Sequence, residues 1–174
     1  GVLLAFGVGW LSHTAWSGPG QLSASVAQRD FVRQAGFAYA VYAPEVKHPV
    51  EVTSAEQEHL AQWLSKRTGR PLKIPKLNSE GFELVGGRLL PGEQGARAQF
   101  MFQNAQGIRV TLYLGSLGAS VKGPDSRETA FSFAPDGPVP SFYWVDQGFG
   151  YAITGAVHRD QLMKLAELDR KSVV

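Results

Sequence analysis

Residues 98–114 read AQFMFQNAQGIRVTLYL, an alternation of apolar and other side chains that a short polar segment interrupts. Apolar residues fall at every second position on both sides of segment 104–107, which ends at Gly107. A period of two puts these side chains on one face of a strand, and a short turn with Asn and Gly joins antiparallel neighbours. The stretch therefore predicts a β-hairpin whose apolar face carries Ala98, Phe100, Phe102, Ile108, Val110, Leu112 and Leu114.

The same period of two recurs elsewhere in the chain. It runs from Phe82 onward, returns at residues 131–133, and forms a second hairpin from segments 141–146 and 149–153. The pair Gly86–Gly87 interrupts the first of these strands, and glycine inside a strand is typical of a β-bulge. Because hairpins connect antiparallel strands, we expect one antiparallel sheet of about five to six strands.

Two helices are expected before the strands. The first runs from Leu22 to Ala43, becomes amphipathic toward its end and stops before Pro44, because a residue preceding proline is disfavoured in the α region. The second follows two alternative capping boxes and ends at Gly69, a glycine suited to a helix C-terminus. The two capping boxes pair Thr53 with Glu56 and Ser54 with Gln57.

A third helix is expected from His158 to Leu168, after the strands. Helices that are separated in sequence from a block of hairpins favour an α+β fold over an alternating α/β fold. One face of the sheet would then pack against the helices. The other face would be wet or would contact a partner, since it carries Gln99, Gln103, Arg109 and Thr111.

The chain begins with an uncharged apolar segment, Gly1–Leu11, followed at once by polar residues. A membrane span needs about 20 apolar residues, so this segment predicts the C-terminal part of a transmembrane helix, with Trp10 at the membrane interface. The expected organisation is a helix end over 1–11, a juxtamembrane linker and helix over 12–43, and an ectodomain over 44–174. The membrane-anchoring residues would be Val2, Leu3, Leu4, Phe6, Val8, Trp10 and Leu11.

Composition narrows the classes of function. The 174 residues contain no cysteine, which excludes disulfides, thiol catalysis and cysteine-ligated zinc within this sequence. The net charge of +2 comes from 17 basic and 15 acidic residues, too small an excess to predict a nucleic-acid-binding surface. A hydrophobic content of 44% predicts a folded core.

Candidate chemistry is sparse in this sequence. Glu56 and His59 have the Glu-x-x-His spacing of di-metal bundles, but those sites need two such units. Ser116 lacks the spacing of a nucleophile elbow. A hydrolase would need a serine or carboxylate beside His48, His59 or His158, which nothing predicts. We therefore expect no catalytic residue, no metal and no cofactor. A basic cluster of solvated charges or lipid contacts comprises Lys66, Arg67, Arg70, Lys73 and Lys76.

Aromatic residues are concentrated near the C-terminal hairpin, in segment 142–151. Such a set forms either a ligand or partner surface or alternate rings of a sheet core. The candidate surface residues are Phe142, Tyr143, Trp144, Phe149 and Tyr151.

Several separated motifs, in order, resemble the C-terminal region of bacterial transmembrane anti-sigma factors. They cover nearly the whole chain, from the end of the apolar segment to about Glu167. The motifs are HPVEV at 48–52, QEHL at 57–60, WLSKR at 63–67, GFELVGGRLLP at 81–91, AQFMF at 98–102, FYW at 142–144 and GFGY at 148–151.

The resemblance implies that residues 44–174 are a non-enzymatic sensor domain in the periplasm, on a single-pass inner-membrane protein. It implies envelope stress signalling, with an extracytoplasmic-function sigma factor held by a cytoplasmic domain that this sequence does not contain. A periplasmic protease or sensor protein would be a partner, no nucleic acid would bind, and a homodimer could form through a sheet face or edge. The alternative is a periplasmic domain that binds a small ligand or protein without sigma regulation.

The tail from Leu168 to Val174 departs from the helix continuation expected in that family, and it is either a divergent end or not native. A native tail would end in Ser172-Val173-Val174, which has the form of a PDZ ligand.

Overall fold

The computed structural model describes residues 19–118, 130–135 and 137–172, with side chains from residue 25 onward. These residues form three α-helices and seven β-strands. The helices are α1 (Pro19–Tyr42), α2 (Gln57–Thr68) and α3 (Arg159–Ser172). The strands are β1 (Val52–Thr53), β2 (Phe82–Leu90), β3 (Arg97–Asn104), β4 (Arg109–Ser116), β5 (Ser132–Ala134), β6 (Ser141–Asp146) and β7 (Phe149–Gly155).

All seven strands belong to one antiparallel sheet, in the order β1-β2-β3-β4-β7-β6-β5. The α+β class is confirmed, with one strand more than the upper expectation of six. Both predicted hairpins are present, and Phe100 pairs with Leu112 in the first. In the second, Gln147 and Gly148 have φ angles of 50° and 73°, as a two-residue hairpin turn of positive φ requires.

The β-bulge predicted at Gly86–Gly87 is present, because the β2–β3 register shifts between Leu84 and Gly86. Its cause is the close approach of β1. A Cβ atom on Gly86 would lie 2.2 Å from the carbonyl oxygen of Val52, so no side chain fits there. The glycine therefore lets the short edge strand β1 pair closely with β2.

Helices α2 and α3 pack on one face of the sheet and enclose the larger core. Their buried leucines meet the apolar face of the predicted hairpins, as the period of two requires. Burying a side chain of this size contributes about 1.5–3 kcal/mol, so this face dominates stability. The buried residues of this core are Leu60, Leu64, Leu77, Phe82, Ala98, Phe100, Phe102, Val110, Leu112, Leu114, Phe142, Trp144, Phe149, Tyr151, Ile153, Leu162, Leu165 and Ala166.

Helix α1 packs on the opposite face, against β4, β6 and β7. This corrects the expectation of a wet or partner-binding face, because Gln99 and Thr111 are fully buried, while Gln103 and Arg109 are half-buried. The helix can cover a polar face because Phe31, Ala35 and Tyr39 repeat at helical spacing and supply an apolar stripe. The sheet is therefore the middle layer of three.

The N-terminal boundaries of α1 and α2 differ from the predictions. Helix α1 already includes Pro19 and Gly20, which were predicted to belong to the linker. Neither capping box forms. A 3-10 turn over Ser54–Glu56 precedes α2, and neither Thr53 nor Glu56 makes a side-chain cap. Gly69 does end α2, in the left-handed conformation.

The chain after Leu168 also differs from the prediction. Helix α3 continues to Ser172, so most of the tail is ordinary helix, and the side chain of Asp169 is buried. Positions 173 and 174 of the proposed PDZ ligand lie outside the described residues. The apolar segment Gly1–Leu11 and its anchor residues lie outside them too. Within the described part, no helix is long and apolar enough to cross a membrane.

Candidate functional site

The contact between α1 and the sheet, here called the α1 interface, is built around one aromatic side chain. Phe31 is buried, and its ring lies 5.1 Å from the Tyr113 ring, centroid to centroid. Gly150 makes room for it, since a Cβ atom there would lie 3.0 Å from the Phe31 ring. The small buried cluster around this contact also contains Ala35, Leu117, Val145 and Ala152.

Two buried arginines of the sheet stack against aromatic rings of α1. The guanidinium carbon of Arg88 lies 3.6 Å from the Tyr42 ring centroid, and that of Arg97 lies 5.3 Å from the Phe31 ring centroid. Cation–π contacts of this kind contribute about 0.5–2 kcal/mol each. Arg88 also lies 3.9 Å from a Glu51 carboxylate, whereas Arg97 has no carboxylate within 4.0 Å among the described residues. Burial lowers the pKa of the Arg97 guanidinium, and Tyr113 partly offsets this.

Hydrogen bonds fix the C-terminal end of α1. Arg109 of β4 donates to the carbonyl oxygens of Ala43 and Glu45, and its Nε donates to Gln103 Oε1 over 2.8 Å. The Tyr39 hydroxyl donates to the carbonyl oxygen of Arg109 over 3.1 Å. Burial raises the pKa of the Tyr39 hydroxyl, so it stays protonated and donates. These bonds join the helix end directly to the centre of the sheet.

Several polar atoms under α1 have no hydrogen-bond partner in the described structure. They are Arg88 Nε, Arg97 Nε, Gln99 Nε2 and Thr111 Oγ1. Arg88 pairs across strands with Gln99, and Arg97 lies two positions before Gln99 on the same face. A buried polar atom without a partner costs about 1–3 kcal/mol, so the α1 interface gains less from burial than its area suggests.

A cavity of about 540 Å³ lies beside the α1 interface, between α1 and the segment that joins β5 to β6. The α1 wall includes Val32, Gly36 and Phe37, and the opposite wall includes Pro138 and Tyr143. Phe37 is 57% exposed, so this part of α1 presents apolar surface outward as well as inward. A cavity of this size is within the range of small-molecule sites.

The aromatic set predicted as a ligand or partner surface occupies two different environments. Phe142, Trp144, Phe149 and Tyr151 are buried in the larger core, where Trp144 stacks on Tyr151 with ring centroids 5.4 Å apart. These four rings are not exposed to a ligand or partner. Tyr143 points to the other face of the sheet, is partly exposed and lines the cavity beside α1.

The other candidates from the sequence are dispersed in the structure. His48, His59 and His158 are not brought together with other ligands, and no group of three or more metal-binding side chains occurs within the described ranges. Arg70, from the basic cluster, is structural. It pairs with Asp146 over 3.0 Å and lies over the Phe149 ring, and thus holds the end of α2 to the β6–β7 turn.

Sequence reasoning missed the arginines of the α1 interface. Arg88 and Arg97 occupy strand positions that alternate with core residues, and such positions usually point to water. An available signal was the flanking glycines, because Arg97 runs past Gly92 and Gly115, where a Cβ atom would lie 2.8 Å or less from the arginine side chain. Glycines opposite an arginine leave space for it to lie flat and buried.

Comparisons with protein families, with characterised proteins and with solved structures return no match to this chain.

Proposed function

We propose that this chain is the periplasmic sensor domain of a membrane-anchored anti-sigma factor, which controls the release of an extracytoplasmic-function sigma factor during envelope stress. The motifs from HPVEV to GFGY support the family. The observation that carries the proposal is the position of α1, the helix between the apolar N-terminal segment and the domain. This helix packs on the sheet through a small apolar cluster, and several buried polar atoms beside that cluster lack a hydrogen-bond partner in the described structure.

The mechanism follows from two positions of α1. When docked, α1 is held by the Phe31 cluster and by the Arg109 bonds at its C-terminal end. When undocked, the helix would free the chain that leads to the membrane segment. A stress signal shifts this equilibrium only if it binds one state better than the other. Because the interface has unpaired buried donors, undocking recovers part of its cost through their hydration.

The remaining partners follow from the family resemblance. The cognate sigma factor would bind a cytoplasmic domain outside this sequence. A periplasmic protease or sensor protein would act on the segment that undocking exposes. The domain itself is proposed to be non-enzymatic.

An engineered disulfide tests whether α1 must move. Ala35 on α1 and Ala152 on β7 are both fully buried in the Phe31 cluster, and residues 1–174 contain no cysteine that could compete. In cells carrying the full-length protein and a reporter for the sigma factor, the Ala35→Cys/Ala152→Cys variant should keep the reporter off under envelope stress. Reduction of the disulfide should restore the response.

A matched control links two strands and leaves α1 free. Leu89 and Ala98 are cross-strand partners in β2 and β3 on the face opposite α1, so Leu89→Cys/Ala98→Cys should leave induction unchanged. Deletion of residues 44–174 should make the reporter constitutive or unresponsive. If the α1 disulfide forms and stress still induces the reporter fully, the mechanism is wrong. If the deletion also changes nothing, the anti-sigma proposal itself fails.

A further inference from the structure

The outer face of α1, which points away from the sheet, carries exposed apolar side chains. Val26, Phe37 and Val41 are 53%, 57% and 62% exposed, and they lie on the side of the helix opposite the buried stripe that begins at Phe31. Exposed apolar residues that share one face, unlike scattered ones, mark an interaction surface. Because α1 covers the sheet face on which a dimer contact was expected, a partner would meet this outer face of the helix instead.

Two charged residues lie between the apolar ones on the outer face. Asp30 and Arg33 form an ion pair within the helix, with 3.0 Å between Arg33 Nη2 and Asp30 Oδ1. Their side chains are 39% and 67% exposed, so both remain accessible to a partner. Along α1, the order Val26, Asp30, Arg33, Phe37 has spacings of four, three and four residues, which keep side chains on one face of a helix.

This order is symmetric about one point of the helix. The midpoint of Val26 and Phe37 lies between residues 31 and 32, and so does the midpoint of Asp30 and Arg33. A second copy of α1, packed antiparallel about that point, would place Val26 opposite Phe37 and Asp30 opposite Arg33, twice each. A twofold interface between identical chains must be self-complementary in this way.

Charge complementarity favours antiparallel over parallel packing of the two helices. In the antiparallel arrangement, the two ion pairs lie side by side with opposite polarity, so each carboxylate gains a second guanidinium neighbour. In a parallel arrangement, each residue would face its own copy, which brings two Arg33 side chains together and two Asp30 side chains together. Like charges at the centre of an interface oppose association.

An apolar groove beside the C-terminal half of the outer face extends the possible contact. It has a volume of about 570 Å³ and lies between α1 and the end of β2, with Phe37 and Val41 on one wall and Leu90 and Pro91 on the other. In the antiparallel arrangement, the second copy's Val26 packs against Phe37 at the edge of this groove. The contact is therefore broader than a single pair of helices.

We propose that this chain forms a homodimer through the outer faces of two antiparallel α1 helices, with Val26 against Phe37 and the two Asp30–Arg33 ion pairs side by side. This inference goes beyond the proposed function and does not depend on it, because it uses only the exposed face of α1. The twofold axis is perpendicular to both helices and can coincide with a membrane normal. Two copies anchored in one bilayer can therefore adopt the same arrangement.

Cysteine cross-linking tests the pairing directly, since residues 1–174 contain no cysteine. Val26→Cys and Phe37→Cys, each made in the 174-residue chain, are oxidised separately and as an equimolar mixture, and the products are identified by mass. The mixture should give the mixed disulfide dimer. Each variant alone should give at least tenfold less dimer, because each position lies about 16 Å along the helices from its own copy, too far for a disulfide.

An exchange of charges tests the same pairing without a covalent bond. Asp30→Arg and Arg33→Asp should each weaken self-association at least tenfold in sedimentation experiments, because the facing groups then have like charge. An equimolar mixture of the two variants should restore association to the parent level, since opposite charges again face each other between copies. Neither chain regains its internal ion pair in the mixture, so a purely structural role of that pair within α1 predicts no rescue.

The matched control is Glu167→Arg, the same change of charge at an exposed position of α3, which should not alter self-association. All variants carry the same N-terminal apolar segment, so differences between them come from the substituted positions. Circular dichroism checks that each variant is folded, which is expected because the substituted side chains are on the surface.

Four results would overturn the proposal. They are a parent chain that stays monomeric, a mixture of the charge variants that does not associate, a Val26→Cys variant that cross-links to itself as fast as in the mixture, and a monomeric parent that binds phospholipid vesicles through Phe37. The third result would indicate parallel packing or random collision, and the fourth would assign this face to a membrane surface.

Discussion

The two faces of the central sheet are stabilised by different kinds of interaction. The face under α2 and α3 is a continuous apolar core, whereas the face under α1 combines a small cluster around Phe31 with buried arginines and an unpaired amide. Apolar burial is nondirectional and tolerant, but buried polar groups stabilise only when every atom has a partner. The comparison indicates that α2 and α3 hold the fold together, and the proposed mechanism assigns to α1 the movement away from it.

Removing one aromatic ring from each face tests whether the two faces differ in this way. Phe100→Ala in the larger core should cost about 3–5 kcal/mol and lower the stability of the whole domain. Phe31→Ala should cost at most about 2 kcal/mol in global unfolding, because in the proposed mechanism α1 undocks while the sheet persists.

Denaturant unfolding gives the global values, and amide hydrogen exchange gives the local ones. In Phe31→Ala, exchange should rise in α1 and stay near parent values in β3 and β4. Equal losses of global stability in the two variants would mean that both faces unfold as one unit.

The face under α3 also differs in carrying a buried carboxyl group whose protonation depends on pH. Asp169 on α3 is 1% exposed with Oδ2 unpaired, and burial raises its pKa to about 7. The folded state therefore binds a proton that the unfolded state has lost. The contribution of Asp169 to stability is therefore fully present below the ordinary carboxyl pKa, is lost as pH rises toward about 7, and does not change further above it.

Asp169→Asn should remove most of this slope, since the amide does not titrate. Denaturant midpoints measured from about pH 4 to about pH 8 test it, with Asp160→Asn, an exposed change on the same helix, as the control. Identical pH dependence of stability in the parent and in Asp169→Asn would contradict the buried, protonated state of Asp169.

The smallest effect concerns single hydroxyl groups under α1. Thr111 is fully buried with an unpaired hydroxyl, so Thr111→Val should stabilise the domain by about 1 kcal/mol. Thr154 is equally buried, but its hydroxyl lies 2.7 Å from that of Ser141. Thr154→Val should therefore destabilise by about 1 kcal/mol. Changes of the same sign in thermal unfolding would show that the unpaired oxygen is not a source of weakness.

The sequence predicted the sheet well because its signals are local. A period of two and turn residues at 104–107 and 147–148 fix both hairpins and their registers. The bulge at Gly86 was also predicted, since glycine inside a strand usually marks a bulge or the close approach of another backbone.

The α1 interface was not predicted because its cause is not local. Gln99, Arg109 and Thr111 follow the pattern of solvent-facing residues, and only the position of a distant helix decides that they are covered. The sequence of α1 does not show which side of the helix packs on the sheet, because Phe37 and Val41 are apolar and yet exposed. The burial of Arg97 depends on glycines in neighbouring segments, which no single-strand pattern contains.

The strand order has a consequence for assembly. Strands β2, β3 and β4 are consecutive neighbours, as are β5, β6 and β7, so the sheet consists of two meanders joined along the β4–β7 pair. The β4–β7 pair joins residues that are distant in the chain. Such pairing forms late in folding, because the long intervening loop must first close. Helix α1 packs across β4 and β7, the two strands of that pair. The surface on which α1 packs therefore forms only after the two halves of the sheet have joined. Docking of α1 thus depends on a completed sheet.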